Sequence, residues 1–373
     1  MSSLHRVALV YLGRRGGIAR YTLELAHALQ SECQLSCHFS AHNILREEID
    51  RLDCPIYFYP TYTGWRSFVK STVTMSEPRR IARALKNESA DFILDTGSGP
   101  WGDLLCRMTG RVPWVRIVHD AVLHQDRWKM LFAIQRTLFP VRCDALIGVS
   151  NFTAAALRLR YPAMPVIASR HGIICNSTTP DIEGITARRK HFIFFGRIEP
   201  YKGISVLLDA FELASSSDSE LRLTICGSGV VSMQQRRNIE RLGIELRNEW
   251  LPEDEIDMIF AKAGVVVLPY LTATQSGVAA IAIAKALPVI ATNVGALPEQ
   301  VLDGINGLVV PVGDVIALRD AMVKIASRET IARDFSIGSL KLGQTRYGWK
   351  AIATNMIKDL VNMSFMHPHS QCK

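Results

Sequence analysis

The sequence lacks the cysteine patterns of small disulfide-linked or zinc-binding domains. Its eight cysteines are scattered over 373 residues, and none form a C-x-x-C pair. Cys33 and Cys37 are four positions apart, but no second pair of Cys or His residues stands near them to complete a zinc site. We therefore expect reduced thiols, as is usual in a cytoplasmic protein.

Long hydrophobic runs are missing as well. The most apolar stretch, residues 278–291, is interrupted by Lys285 and falls short of the roughly 20 residues that a membrane-spanning helix needs. The segment MSSLHRVALVYL has no apolar stretch long enough for a signal peptide before the first predicted strand. The sequence thus predicts a cytoplasmic protein without a transmembrane helix.

Acidic residues are scarce in one stretch of the first half. The net charge is +8, and the segment Arg66–Lys86 holds six basic side chains against the single carboxylate of Glu77. Basic surfaces attract polyanions and acidic lipids, although such a run can also be a solvated helix face. A nucleic-acid partner has only this charge in its favour, because the segment does not form an aromatic-interleaved basic motif of the kind that binds nucleic acid, so we expect none. A peripheral contact with the acidic inner membrane surface is the remaining hypothesis.

Short apolar runs alternate with helical patterns along most of the chain. Runs such as Arg6–Leu12 and Val265–Leu268 are continuously apolar, which is typical of parallel strands buried on both faces. Strand–helix alternation of this kind predicts the α/β class, with doubly wound, Rossmann-like sheets. The length suits two such domains.

A polar segment, CNSTTPDIEGITAR, interrupts this alternation and resembles a linker. It predicts a first domain over residues 1–176, a linker over 177–188 and a second domain over 189–346. A helical pattern from about 347 to 373 is expected to pack back on the first domain. Two doubly wound domains would face each other across a cleft at the carboxyl ends of their strands, where a substrate should bind.

Two features at strand ends in the first half could contact a ligand. Gly16 and Gly17 follow the first strand and open a helix, so the backbone can approach a ligand and offer free N–H groups to an anion. The pattern is neither G-x-G-x-x-G nor a P-loop, and a plain tight turn would also explain it. His119 and Asp120 follow another buried strand; the imidazole can hydrogen-bond a ligand hydroxyl and the carboxylate can orient it.

In the second half, Gly196, Arg197 and Lys202 lie between a strand and a helix. Two cations five residues apart at the start of a helix suit a diphosphate, because they can neutralise charge that develops on a leaving phosphate. Surface ion pairing is the alternative.

A polar turn after a later strand adds a third candidate. Gln275, Ser276 and Gly277 precede an apolar helix, so Ser276 could cap that helix while the first amides face a phosphate. Ordinary capping would account for the same residues. Glu299 follows the next strand and should lie at the same edge of the sheet.

Three segments, FFGRIEPYKG, GVSNFTAAAL and LPEQVLDGINGLVVPVGD, together resemble the retaining glycosyltransferase family 4, which has the GT-B fold. The resemblance implies a nucleotide-sugar donor, no required metal and retention of the anomeric configuration. It also implies roles for the residues that match the family's motifs. Gly16 and Gly17 match its glycine loop, and His119 matches its donor-sugar histidine. Arg197 and Lys202 match its diphosphate-binding cations.

The sequence departs from this family at one motif. Members usually carry two glutamates eight positions apart, and those positions hold Ala273 and Ile281. A branch with T-Q-S-G-V in this place resembles the sequence better, and its members tend to act in polysaccharide assembly. The resemblance then implies that Gln275, Ser276 and Gly277 replace the carboxylates.

A second family residue is also replaced, because Ala286 stands where members have glycine. We therefore expect a glycosyltransferase that acts on a glycan or lipid-linked acceptor in cell-surface polysaccharide or glycolipid assembly. Two alternatives remain: a non-catalytic protein that kept the fold after losing both glutamates, and another GT-B enzyme such as a nucleotide-sugar epimerase.

Overall fold

A computed structural model describes residues 5–110, 112–120, 142–174 and 179–364. The chain divides into two compact units, which we call the first domain (residues 1–172 with 349–373) and the second domain (residues 173–348). The first break follows Gly172, a few residues before the boundary that the polar segment suggested, and the chain returns to the first domain at Trp349.

The first domain alternates strands and helices. Its strands are β1 (Arg6–Tyr11), β2 (Gln34–Ser40), β3 (Ile56–Tyr59), β4 (Phe92–Gly97), β5 (Trp114–Val118), β6 (Ala145–Gly148) and β7 (Val166–Ala168). Its described helices are α1 (Gly17–Leu29), α2 (Arg46–Ile49), α3 (Trp65–Thr74), α4 (Ser76–Asn87), α5 (Gly102–Thr109) and α6 (Asn151–Arg160), joined by α15 (Trp349–Ser364) from the end of the chain.

The first sheet has the order β3-β2-β1-β4-β5-β6-β7, and each neighbouring pair is parallel. Successive side chains of a strand point to opposite faces. Leu9 accordingly belongs to a core that includes Leu23 of α1 and Met356 of α15, whereas Val10 belongs to a second core with Ile81 of α4. The sheet is therefore covered on both faces, which explains why its strands are continuously apolar.

The second domain repeats this plan. Its strands are β8 (His191–Phe195), β9 (Arg222–Cys226), β10 (Glu245–Arg247), β11 (Val265–Leu268), β12 (Val289–Thr292) and β13 (Gly307–Val310). Its helices are α7 (Ile182–Ala187), α8 (Ile204–Ser215), α9 (Met233–Arg241), α10 (Glu253–Lys262), α11 (Gly277–Ala284), α12 (Leu297–Gln300), α13 (Val315–Ser327) and α14 (Glu329–Gln344).

The second sheet is also parallel, with the order β10-β9-β8-β11-β12-β13. The prediction of two doubly wound, Rossmann-like domains is confirmed. Strand order reverses direction between β1 and β4 in the first sheet and between β8 and β11 in the second. Loops that leave such a switch point run to opposite faces and open a crevice at the carboxyl ends of the strands.

The predicted linker over residues 177–188 is wrong in its second half. Residues 182–187 form α7, and the Asp181 side chain caps this helix by accepting a hydrogen bond of 2.9 Å from the Gly184 amide. Ile185 is buried in the core of the second domain, so α7 is part of that domain's fold. Polar composition concealed the helix because a single buried apolar residue anchors it. Residues 177 and 178 lie outside the described part of the chain.

The C-terminal helix belongs to the first domain. Ile352, Ala353, Met356 and Leu360 of α15 are buried in the same core as α1. The remainder of its predicted range, residues 365–373, lies outside the described residues. Over the residues that the structure covers, none of the helices combines the length and the apolar character required to cross a bilayer.

Candidate functional site

The predicted diphosphate loop lies at the switch point of the second sheet. Gly196, Arg197 and Lys202 follow β8, and the T-Q-S-G-V turn follows β11, the neighbouring strand at the reversal. Gly196 has φ +119°, a backbone conformation that favours glycine. A side chain there would come within 3.7 Å of Val278, so the two loops adjoin each other.

A second glycine sets the position of Lys202. Gly203 has φ +71°, and a Cβ at this residue would lie 1.9 Å from the carbonyl oxygen of Pro269. On the other side of the same turn, the amide of Leu271 donates a hydrogen bond of 2.7 Å to the carbonyl of Tyr201. The loop after β8 is thereby held directly against the loop after β11, backbone to backbone.

Lys202 rests on an aromatic ring within this contact. Its Nζ lies 3.6 Å from the centroid of the Tyr270 ring and 5.2 Å from that of Tyr201. A cation over a ring face is attracted by the ring quadrupole, and more strongly where water is excluded. Burial opposes the charge and lowers the pKa of Lys202 to about 8. At neutral pH the side chain is therefore a mostly protonated, poorly solvated cation.

Arg197 has a different environment. Its side chain is 61% exposed, and its Nη1 lies 3.0 Å from a carboxylate oxygen of Glu199. The surface ion pair that the sequence left as an alternative is therefore present. The two predicted cations differ in burial, and Arg197 must exchange Glu199 for a ligand before it can contribute to anion binding.

Ser276 is the N-cap of α11, as the sequence suggested. Its side-chain oxygen accepts a hydrogen bond of 3.3 Å from the Ala279 amide and lies 3.3 Å from the Tyr270 hydroxyl. The helix begins at Gly277, not at Gln275 or Val278. Tyr270 thus touches both Lys202 and the cap of α11, and joins the two candidate phosphate-binding elements.

The side chain of Gln300 holds the turn in place. The Ser276 amide donates to its Oε1 at 2.9 Å, and its Nε2 donates to the Ser276 carbonyl at 2.9 Å. Gln300 is buried, whereas its neighbour Glu299 is half-buried and accepts a hydrogen bond from the Tyr347 hydroxyl through its backbone carbonyl. The sequence singled out Glu299, but the residue that orders the turn is Gln300.

The start of the same turn is fixed by backbone contacts. Gly295 has φ +57°, and a Cβ there would lie 1.9 Å from the Ala273 carbonyl oxygen. The Ala296 amide donates to Thr274 at 3.2 Å. Ala273, which replaces a family glutamate, is itself buried. Beside it, the Oε1 of Gln275 is buried and has no hydrogen-bond partner among the described residues, so it is an acceptor that a ligand could satisfy.

The glycine loop of the first domain lies after β1, at the first switch point. Gly16 has φ +96° and is the N-cap of α1, which begins at Gly17. A Cβ at either glycine would have no neighbour within 4 Å. The first amides of α1 are therefore reachable from open space.

His119 follows β5 and lies in a cluster of rings that we call the aromatic cluster, formed by Tyr21, His119, His171 and Trp349. The Tyr21 ring lies 4.5 Å from His119, 5.3 Å from His171 and 5.0 Å from Trp349. Burial, followed by the nearby His171, lowers the pKa of His119 to about 3. Its Nε2 is buried without a hydrogen-bond partner among the described residues. A neutral imidazole of this kind can make one strong hydrogen bond to a ligand.

Asp120 is exposed, and its negative charge raises the pKa of His171. Burial lowers the pKa of His171, while its hydrogen bond to the Gly172 carbonyl and the charge of Asp120 oppose that shift. The rings of His171 and His119 are 6.2 Å apart. The orienting role of Asp120 toward His119 stays a prediction.

Sequence reasoning missed the residues that support these loops. Tyr270 comes directly after Pro269 at the end of β11, so the sequence already indicated that it lies at the carboxyl edge of the sheet. Glu299 and Gln300 are adjacent, so the sequence could not show which of the two contacts the turn. Tyr21, His171 and Trp349 come from three distant parts of the chain. In the part of the chain that the structure describes, no group of three or more His, Cys, Asp or Glu residues could hold a metal ion.

Two family models match the chain. Residues 15–177 match Glycosyltransferase Family 4, and residues 189–328 match Glycosyl transferases group 1. The first match falls in the first domain apart from its last residues, and the second lies within the second domain.

Named relatives and solved structures agree with these matches. The D-inositol 3-phosphate glycosyltransferase of Corynebacterium glutamicum is 30% identical over 46% of this chain, and the match spans 43% of that protein. O-antigen chain mannosyltransferase C of Escherichia coli is 24% identical over 66% of this chain and 67% of its own length. The chain thus spans less than half of the first of these relatives.

The fold as a whole is similar to Anabaena HepE, solved in complex with UDP. The TM-score is 0.71 at 15% identity, over 96% of this chain and all of that one. Likeness at this identity shows the fold. The chain therefore has the GT-B fold, built from one domain that matches Glycosyltransferase Family 4 and one that matches the group 1 glycosyl transferases.

Proposed function

We propose that the protein transfers a sugar from a nucleotide-sugar donor to a glycan or lipid-linked acceptor, with retention of the anomeric configuration. One observation carries the donor half of this proposal. Tyr270 contacts both the half-buried cation Lys202 and the cap of α11, at the switch point of the second sheet. A cation and a helix N terminus held together in this way suit a diphosphate.

The proposed chemistry places the developing charge on that diphosphate. The bond between the anomeric carbon and the phosphate oxygen breaks, a bond between that carbon and the acceptor oxygen forms, and the acceptor proton passes to the departing diphosphate. Lys202, Arg197 and the first amides of α11 would stabilise the nucleoside diphosphate as it departs. Because these groups already supply positive potential, we propose that the reaction needs no metal ion or other cofactor.

We assign His119 to the donor sugar. Its neutral imidazole, whose Nε2 has no hydrogen-bond partner among the described residues, can hydrogen-bond a sugar hydroxyl. Its low pKa means that it does not act by protonating the substrate at neutral pH. Gly16 and Gly17 would let the substrate approach the backbone at the start of α1. Gln275 would satisfy its buried Oε1 with a donor hydroxyl, in the role that the family's missing glutamates would have had.

The proposed acceptor follows from the relatives' names and from the basic segment. One relative is named for an inositol phosphate acceptor and another for O-antigen chains, so we propose a role in cell-surface polysaccharide or glycolipid assembly. A lipid-linked acceptor would also require the protein to work from the cytoplasm at a membrane surface.

The basic segment is arranged to support such a contact. Its six cations are all exposed on α3 and α4, while the opposite face of α4 is buried. Arg80 is the one that lies near Glu77, at 3.8 Å. Val73 of α3 is 77% exposed beside these charges. We propose that this surface docks on acidic lipid.

A vesicle experiment tests the docking. Each basic residue near an anionic surface contributes about 1 kcal/mol. We expect the double variant Arg79→Glu and Arg83→Glu to bind anionic vesicles at least tenfold more weakly. The double variant Arg236→Glu and Arg237→Glu makes the same charge change on α9 and should bind like wild type. Equal losses in both variants would indicate a general charge effect in place of a docking surface.

The transfer reaction is tested in two stages. Thermal shift with UDP, GDP and ADP identifies the nucleotide, because binding to the native state raises apparent stability. The matching nucleotide sugars are then mixed with inositol phosphate and glycan acceptors, and released nucleoside diphosphate is measured.

Three outcomes separate the three hypotheses. Nucleoside diphosphate released only with acceptor supports the transferase. Conversion of the nucleotide sugar without any acceptor supports an epimerase. No nucleotide binding at millimolar concentration supports the non-catalytic protein. Activity that disappears with EDTA and returns with a divalent cation would overturn the metal-free mechanism.

A further inference from the structure

A cavity lies at the amino ends of the first sheet's strands, the end opposite the glycine loop. It has a volume of about 400 Å³ and is lined by residues at the amino ends of three strands: Arg6 and Val7 of β1, Gln34 to Ser36 of β2, and Pro55 before β3. Gly16 lies beyond the carboxyl end of β1, so this cavity is at the other end of that strand from the glycine loop. Its size is in the range of small-molecule pockets.

Two thiols are paired at this cavity. Cys54 is half-buried and lines it, and its Sγ lies 3.7 Å from the Sγ of Cys37 on β2. Cys37 is fully buried behind Cys54. The Cys37 amide donates a hydrogen bond of 2.9 Å to the carbonyl of Pro55, which fixes the two chain segments side by side.

The two thiols are chemically unequal. The hydrogen bond with Cys37 lowers the pKa of Cys54, and the same bond, reinforced by burial, raises the pKa of Cys37. The thiolate is the reactive form of cysteine. The more accessible sulfur is therefore the better nucleophile, and the buried one is kept as a thiol within reach of it.

The other described cysteines lack this combination. Cys33 also lines the cavity, but burial raises its pKa to about 12. Burial likewise raises the pKa values of Cys106, Cys143 and Cys226. Cys33 is consequently a natural control, since it shares the cavity but is expected to remain unreactive.

We propose that Cys54 and Cys37 form a reversible dithiol–disulfide site that reacts with a low-molecular-weight disulfide entering the cavity. The Cys54 thiolate attacks one sulfur of the small disulfide, forming a mixed disulfide and releasing one small thiolate. Cys37 then loses its proton and attacks the Cys54 sulfur, which releases the second small thiolate and leaves a Cys37–Cys54 bond. Two protein thiols are oxidised, the small disulfide is reduced to two thiols, and the two protons end on those thiols.

The geometry permits the final bond. A disulfide has an S–S length of about 2.05 Å, so the sulfurs must approach each other by less than 2 Å, which is within the range of side-chain rotation. The disulfide would link the segment just before β3, the edge strand of the sheet, covalently to β2. This inference does not depend on the proposed sugar transfer, because the cavity lies at the opposite edge of the sheet.

Oxidised glutathione tests the site on the full chain. Reduced wild-type protein is incubated with it at pH 7.5, quenched in acid, and mapped by mass spectrometry of peptides under non-reducing conditions. We expect a Cys37–Cys54 bridge in wild type, a stable glutathione adduct on Cys54 in Cys37→Ala, and neither product in Cys54→Ala. Cys33→Ala should form the bridge like wild type.

Two results would overturn the proposal. One is a wild-type protein that carries glutathione on Cys54 as stably as Cys37→Ala does; the other is a glutathione adduct that persists at Cys33 or Cys37 when Cys54 is removed. Alkylation by iodoacetamide gives an independent measurement on unmutated protein. Cys54 should be labelled at least tenfold faster than Cys33 and Cys37 in the native state, and equal rates for the three would contradict the proposed order of reaction.

Discussion

The carboxyl edges of the two sheets share a topology but differ in chemistry. In the first domain the edge presents a neutral, buried imidazole inside the aromatic cluster, next to an open glycine turn. In the second domain it presents a cation on an aromatic ring beside a capped helix. The comparison teaches that the fold supplies two equivalent crevices, while the loops decide which one can neutralise charge.

Burial lowers the pKa of a basic side chain at the carboxyl edge of each sheet, but by different amounts. Burial drives the pKa of His119 so low that the ring is neutral at any physiological pH. It lowers the pKa of Lys202 only to about 8, and the Tyr270 ring helps to retain the charge. The first edge is therefore suited to hydroxyl groups and the second to a diphosphate.

The largest expected effect is at the second edge. Lys202→Met removes the charge but keeps an apolar side chain on Tyr270, so we expect nucleoside diphosphate affinity and transfer rate to fall by about 100-fold, the scale of losing one charge stabiliser. Arg197→Met should have a smaller effect, because Arg197 is exposed and paired with Glu199. Calorimetry at pH 7, where Lys202 is mostly protonated, measures the affinity.

Lys324→Met is the matched control for this experiment, since Lys324 is an exposed lysine on α13. It should bind the nucleotide like wild type. If Lys202→Met binds as well as wild type, the contrast between the two edges does not involve Lys202.

A pair of glycines sharpens the comparison. Gly277→Val and Gly17→Val both place a side chain where the fold has room, the nearest atom to a Cβ at Gly277 being Ile174 Cδ1 at 4.0 Å. We expect Gly277→Val to weaken nucleoside diphosphate binding at least tenfold, because it blocks the first amides of α11. Gly17→Val should leave that affinity unchanged and lower only the transfer rate. The reverse pattern would assign the diphosphate to the first edge.

The neutral state of His119 predicts a pH-dependent stability. Between about pH 6.5 and pH 3 the unfolded chain binds a proton at this residue and the native protein does not, so stability falls as the pH falls through this window. The slope is about 1.4 kcal/mol per pH unit for one such group. His119→Phe should reduce the wild-type slope by that amount, as measured by urea unfolding at pH 6.0 and 5.0. Identical slopes in the two proteins would mean that His119 is protonated in the native state.

The smallest expected effect is on the free energy of unfolding, at two residues whose backbone is in the left-handed region. Ala286 has φ +55° and is buried in the second domain, at the position where family members have glycine, and Ser89 has φ +51° at the surface of the first domain. Ser89→Gly should raise the free energy of unfolding by up to about 1 kcal/mol. Ala286→Gly should gain less, because it also removes a buried methyl group. Equal gains in both variants would mean that this methyl contributes nothing.

Most strands of the fold could be predicted from the sequence, and the helices only in part. Continuous apolar runs located β11, whose observed bounds are those predicted, and β1, which ends at Tyr11, one residue before the predicted end. The strands β7 and β10 were missed, because three residues are too few to show a period. The helix α7 was missed for a related reason, since it is short and mostly polar.

The candidate site could be predicted only in part. Gly16, Lys202 and Ser276 lie in loops that follow strands, and parallel strands bring their carboxyl ends to one edge of each sheet, so the strand pattern predicted the edge at which these residues lie. Whether each of them acts in sugar transfer stays a prediction. The sequence could not show that Lys202 is half-buried and Arg197 exposed, because both follow the same strand. They differ in their tertiary contacts, since Lys202 lies on the Tyr270 ring and Arg197 pairs with Glu199 at the surface.

The sequence by itself determined the α/β class, the two-domain plan and the strand ends that carry polar residues, since these depend on local hydrophobic period and turn chemistry. Tertiary structure alone decided which side chains meet. The aromatic cluster joins α1, the loop after β5, residue 171 and α15, and Gln300 orders a turn 24 positions earlier in the chain. Such contacts are set by sheet order and packing, which bring together residues that no local pattern connects.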